Sequence, residues 1–177
     1  MTAPERVHGS LVEVAGVGVL LLGKSGVGKS EAALELVMRG HRLVADDVVL
    51  VDAGPDGAPQ GRAHELVRHY IELRGIGIVH VPSLFGAEAV ADRATIDLLI
   101  QLQAWRAGEV ERVGLDQQTS QVAGFEVASI ALPVAPGRNI AALVEVAGRN
   151  HRLKQAGDSG VAALDRRITE SLRRGRS

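Results

Sequence analysis

The chain has 177 residues, 46% of them hydrophobic, and a formal net charge of −1. That length and apolar content suit one globular domain over residues 1–177, and the near-neutral charge gives no global field for nucleic acid or an anionic membrane. With no cysteine, a disulfide scaffold, a zinc–cysteine site and a thiol nucleophile are excluded. No apolar stretch approaches the roughly 18 residues of a membrane span. The first residues lack the charged and apolar pattern of a signal peptide, so a cytoplasmic protein is expected.

Residues 8–14 alternate weakly and predict a strand. A hairpin turn at residues 16–18 leads into Val17-Gly18-Val19-Leu20-Leu21-Leu22, an apolar run that reads as a buried strand. Gly23-Lys24-Ser25-Gly26-Val27-Gly28-Lys29-Ser30 follows and fits the phosphate-loop pattern G-x-x-x-x-G-K-[ST]. Residues 31–38 carry apolar positions at helical spacing, and Arg39-Gly40 is the expected stop. Strand, loop and helix are the context the motif requires. Glycines let consecutive N–H groups converge on an anion, and the helix N-terminus adds about half a positive charge. Lys29 can bridge phosphates, and the Ser30 hydroxyl can ligate Mg²⁺.

Arg42-Leu43-Val44-Ala45 reads as a buried strand ending in Asp46-Asp47. An acid at such a position holds Mg²⁺ directly or through water. Successive strand residues face opposite ways, so the two acids can divide between a metal and a substrate hydroxyl. A solvated acidic turn is the plainer reading. Residues 48–51 predict another strand, residues 53–59 a loop, residues 62–73 strand-like alternation, and residues 75–82 an extended or loop segment. Glu72, between Ile71 and Leu73, reads either as a second metal ligand or as a salt-bridge partner of Arg74.

Residues 95–108 suit a strand or a helix. Residues 125–132 and 140–147 predict two strands around the turn Pro133-Val134-Ala135-Pro136-Gly137-Arg138. Residues 159–174 predict a basic helix with Val161, Leu164, Ile168 and Leu172 on one face. The sum is a strand-rich mixed α/β domain with a C-terminal helix. On the residues alone, Arg112 reads as a surface cation beside Glu111, and His8 as a surface or capping histidine.

Four segments in order carry a resemblance: His8-Gly9 with GVGVLLLGKSGVGKSEAALELVMRGHRLVADD; IELRGIGIVHVPSLFG; ERVGLD; and LPVAPGRNIAALVEVAGRNHRLKQAG. Together they resemble the C-terminal catalytic domain of the HPr kinase/phosphorylase family. The resemblance implies a P-loop core related to phosphoenolpyruvate carboxykinase, usually assembled as a hexamer. It implies a kinase that phosphorylates a regulatory serine on HPr, the phosphocarrier of the bacterial sugar phosphotransferase system. ATP or pyrophosphate would be the donor, and phosphate attack on the phosphoserine would release pyrophosphate in the reverse-type reaction.

The resemblance further implies residue roles. Gly23, Lys24, Ser25, Gly26, Val27, Gly28, Lys29 and Ser30 would hold the β-phosphate, with Lys29 catalytic and Ser30 on Mg²⁺. Asp47 would be the shared proton acceptor and donor, Asp46 would lie near the metal, and Glu72 would be the second Mg²⁺ contact. His8 and Arg112 would be active-site residues. The segment from Pro133 to Arg138 would serve dephosphorylation, with Ala135 standing where an arginine is common. The N-terminal domain usual in the family is absent from this sequence.

Overall fold

The computed structural model describes residues 3–105 and 118–174. The chain opens with β1 (Glu5–His8), β2 (Ser10–Val14) and β3 (Val17–Leu22), then α1 (Lys29–Met38). Next come β4 (Arg42–Ala45), β5 (Val48–Ala53), β6 (Pro59–Arg62), β7 (Tyr70–Leu73) and β8 (Gly77–His80), then the short helix α2 (Val81–Phe85). β9 (Arg93–Thr95), β10 (Leu98–Ala104), β11 (Gln118–Val122) and β12 (Phe125–Val134) precede α3 (Ile140–Gln155) and α4 (Gly160–Arg174).

A six-stranded sheet in the order β11-β12-β10-β3-β2-β4 forms the centre. Its middle strands β3, β10 and β12 are parallel, and the outer pairings are antiparallel. β3 is apolar throughout because both faces are covered. Val17, Val19 and Leu21 join a core that includes Leu36 of α1 and Val144 of α3, whereas Leu20 joins one that includes Val49 and Val51 of β5. Those two β5 residues belong to a second sheet, β1-β5-β6-β9. The molecule is therefore three layers: helices, the central sheet and the smaller sheet.

The ambiguous segment from residue 95 resolves as β10, because Leu98–Gln101 pairs with β3 on one side and Leu98–Ala104 with β12 on the other. Tertiary pairing decides what an apolar run cannot. Residues 140–147, expected as a strand, are the first half of α3. Asn139 Oδ1 accepts the Ala142 N–H at 2.8 Å, a helix N-cap. Ala141, Val144, Gly148 and His151 then form one buried face at helical spacing. The strand-like stretch 62–73 contains β7 and the extended or loop stretch 75–82 contains β8, and the two strands pair as a hairpin; only residues 81–82 depart, opening α2, with Pro82 tolerated in the first helical turn. α4 forms as expected, but none of its residues is buried, and Val161, Leu164, Ile168 and Leu172 are 49–66% exposed.

Candidate active site

β3 ends at Leu22, and the chain passes through the phosphate loop into α1. Gly28, at the helix N-cap, has φ +102°, a conformation that only glycine adopts without strain. Gly28 offers no side-chain cap, so among the described residues the first N–H groups of the helix are left available to an anion. Lys29 Nζ donates to the carbonyls of Gly23 (2.8 Å) and Lys24 (3.1 Å), which folds it back over the loop.

Asp46 is held from two sides. Ser30 Oγ lies 3.0 and 2.9 Å from its two carboxylate oxygens, and Ser10 Oγ donates to Oδ1 at 2.6 Å. Burial pushes the Asp46 carboxyl above the usual aspartate range; hydrogen bonds from Ser10, Ser30 and the backbone N–H groups of Asp47 and Glu72 oppose that shift without cancelling it.

Asp47 differs in kind from its neighbour. β4 stops at Ala45, so neither acid lies in a strand, and a turn rather than pleat alternation separates them. Val48 N–H donates to the Asp46 carbonyl at 2.8 Å, and Asp47 at the centre of this three-residue turn has φ +65°. Such a turn is rare for a non-glycine residue and costs of order 1–3 kcal/mol. The Asp47 carbonyl accepts the Gly9 N–H at 3.1 Å, and β1 pairs His8 with Val48, which brings His8 beside the acid.

Glu72 points away from the buried Ile71 and Leu73, as strand alternation requires. It makes no ion pair with Arg74 within 4 Å among the described residues. Together with the loop, His8, Ser10, Asp46, Asp47, Glu72 and Arg74 line one hollow of about 390 Å³. A larger hollow of about 810 Å³ lies by β5 and β6. There Arg62 pairs with Asp52 and Arg68 with Asp92, and the phosphate loop takes no part in it.

The smaller hollow thus contains His8, Lys29, Asp46, Asp47 and Glu72 and most of the loop. Residues 133–138 do not line it. Pro133 and Val134 end β12, and Arg138 donates to the Pro133 carbonyl at 2.9 Å while lying 5.7 Å from the Trp105 ring centroid. Arg112 and the ERVGLD segment lie outside the described residues. Sequence reasoning missed Ser10, whose one signal was a lone hydroxyl in an apolar strand, and treated Arg74 only as a partner for Glu72.

Among the described residues no three His, Cys, Asp or Glu side chains converge as a metal cage. The donors at hand, Ser30, Asp46 and Glu72, are all oxygens beside an anion cradle. That fits Mg²⁺, which usually takes one or two carboxylates and completes its shell with water and phosphate oxygens.

Fold and hollow define a mixed α/β phosphate-loop protein with an acid pair at the loop. The family model for the HPr Serine kinase C-terminal domain matches residues 1–168, and the chain belongs to that family. It is 50% identical over 169 residues to the HPr kinase/phosphorylase of Caldicellulosiruptor bescii, covering 95% of this chain and 54% of that one. The corresponding protein of Geobacter sulfurreducens is 49% identical over 152 residues, covering 85% and 48%. The chain spans about half the length of the curated relatives it matches. Among solved structures, the Hpr(Ser) kinase/phosphatase from Coxiella burnetii superposes with a TM-score of 0.79 at 35% identity, covering 86% of this chain and 93% of that chain. No helix among the described residues is long and apolar enough to cross a membrane.

Proposed function

We propose that the chain is a bifunctional HPr serine kinase/phosphorylase catalytic domain over residues 1–177, with a core of the phosphoenolpyruvate carboxykinase type. The observation that carries this reading is the strained turn that sets an exposed Asp47 beside a phosphate loop while Asp46 stays locked on Ser30. Its substrates are Mg²⁺ with ATP or pyrophosphate, and the regulatory serine of HPr. Neither nucleic acid nor a membrane is a partner. The protein works in the cytoplasm as a hexamer, and the exposed apolar stripe of α4 supports assembly.

Glycine-rich backbone from Gly23 to Gly28 binds the β-phosphate, and Lys29 turns from its carbonyls to the phosphate oxygens. Ser30, Asp46 and Glu72 hold Mg²⁺, which when bound offsets phosphate charge. Asp47 accepts the serine hydroxyl proton as the phosphoryl group transfers. In the other direction it returns a proton to that oxygen as inorganic phosphate attacks, as microscopic reversibility requires. His8 orients the reacting groups beside Asp47, and Arg112 stabilises charge on the transferring phosphoryl. Residues 133–138 serve the dephosphorylation branch.

The experiment is incubation of the chain with HPr, Mg²⁺ and either ATP or pyrophosphate, followed by mass-spectrometric mapping. Phosphate on one serine of HPr is expected; no transfer from either donor would sink the reading.

A further inference from the structure

The guanidinium of Arg74 lies over the apex of the phosphate loop. A Cβ built on Gly26 would come within 3.2 Å of Arg74 Nη2, 3.5 Å of Nη1 and 3.6 Å of Cζ. Arg74 therefore occupies the space directly above a loop glycine. It lines the same hollow as Glu31, Asp47 and Glu72, yet it takes part in no ion pair among the described residues. Three acids nearby leave this cation unengaged, while Lys29 and the N-terminus of α1 add positive charge on the loop side. An anion seated on the loop would therefore meet positive charge from both sides, Lys29 and the helix N-terminus below and Arg74 above.

We propose that Arg74 is a phosphate-binding residue of this site. It closes the loop from the hairpin side and donates paired N–H groups to the non-bridging oxygens of a phosphate seated there. That phosphate is either the terminal group of a bound polyphosphate or free inorganic phosphate. The inference rests on the phosphotransfer reading above. The geometry gives the two cations separate approaches: Lys29 rises from the loop carbonyls, and Arg74 descends from the end of β7. Glu72 sits two residues earlier on that strand. One hairpin thus brings an acid for the metal side and a cation for the phosphate side. A planar guanidinium suits this position because it can engage two oxygens at once, which an ammonium cannot.

The test is isothermal titration of the full chain, as wild type, Arg74→Ala and Arg74→Lys, with pyrophosphate plus Mg²⁺ and separately with inorganic phosphate. Thermal denaturation of the ligand-free proteins runs alongside. Arg74→Ala should weaken anion binding about 10- to 100-fold, the loss expected for charged hydrogen bonds. Arg74→Lys should recover part of it, with melting temperatures unchanged. Loss confined to pyrophosphate assigns Arg74 to the donor's terminal group, and loss confined to phosphate assigns it to the free anion. Wild-type affinity of Arg74→Ala for both, or a weakening that tracks a fall in melting temperature, overturns the assignment. A wild-type chain that binds neither anion removes the phosphotransfer reading itself.

Discussion

The two walls of the hollow are built on opposite plans. On the inner wall, the buried Ser10 and the half-buried Asp46 and Ser30 form a closed hydrogen-bond set at 2.6–3.0 Å. On the outer wall, Asp47, Glu72 and Arg74 are exposed and make no ion pair among the described residues. The inner wall suits holding one geometry, since a satisfied buried network resists rearrangement. The outer wall suits groups that must exchange partners during a reaction. Two adjacent aspartates fall on different sides of this divide because the chain reverses between them.

If the division is right, Asp47→Asn has the largest effect. Both transfer directions should fall about 10²–10⁴-fold, the range for losing a general acid–base, while pyrophosphate binding by calorimetry stays near wild type. Retention of either direction would place proton transfer elsewhere. Ser10→Ala comes next and probes the inner wall. It should weaken Mn²⁺ binding in the presence of pyrophosphate about 10-fold, as for outer-shell supports of a metal ligand, read by electron paramagnetic resonance; Ser10→Thr should restore it. Equal metal affinity in Ser10→Ala would show that Asp46 needs only Ser30.

A smaller effect is expected from Ala135→Arg. Arg138 is already engaged by the Pro133 carbonyl and Trp105, so an added guanidinium would be the uncommitted cation of that turn. Phosphorylase activity should rise by more than kinase activity, with both rates measured on one preparation. An equal change in both would deny the turn a selective role.

The smallest effect lies far from both walls. His151, 7% exposed, packs near Asp97, and its Nε2 has no hydrogen-bond partner among the described residues. Burial lowers its pKa below the usual 6.5, against the pull of the Asp97 charge. The unfolded chain therefore binds the proton first as pH falls, and stability present above pH 6.5 is lost as acid is added below it. Asp97 works oppositely, because burial raises its pKa from 3.8, so the unfolded chain loses its proton first and stability falls as pH rises through that range. Melting curves of His151→Leu should lack the decline that begins near pH 6.5. A persistent decline would assign the acid sensitivity to another group and separate fold loss from any pH profile of the active site.

The two C-terminal helices show where sequence patterns stop being informative. α4 has a strong apolar stripe and was legible as a helix, yet none of its residues is buried. α3 has the weaker stripe and reads locally as a strand because Ile140, Leu143, Val144 and Val146 crowd its first half, yet it packs on the central sheet. Gly148 lets it approach closely: a Cβ there would lie 3.1 Å from Val14 Cγ1. The missed cue was Asn139, an N-cap signal one residue before the apolar run.

The sequence by itself determined the phosphate loop, its flanking strand and helix, and the resemblance built on four ordered segments. These are local: glycine spacing, apolar runs and a helix stop act over a few residues, and the residue types state the chemistry. Tertiary structure alone decided that Asp46 is locked while the Asp47 carboxylate has no partner among the described residues, that Ser10 reaches Asp46 across 36 positions of chain, and that Arg74 meets the loop rather than Glu72. The reason is physical. Burial, turn strain and charge pairing depend on which distant segments the sheet brings together, and that pairing is written in no single stretch of the chain.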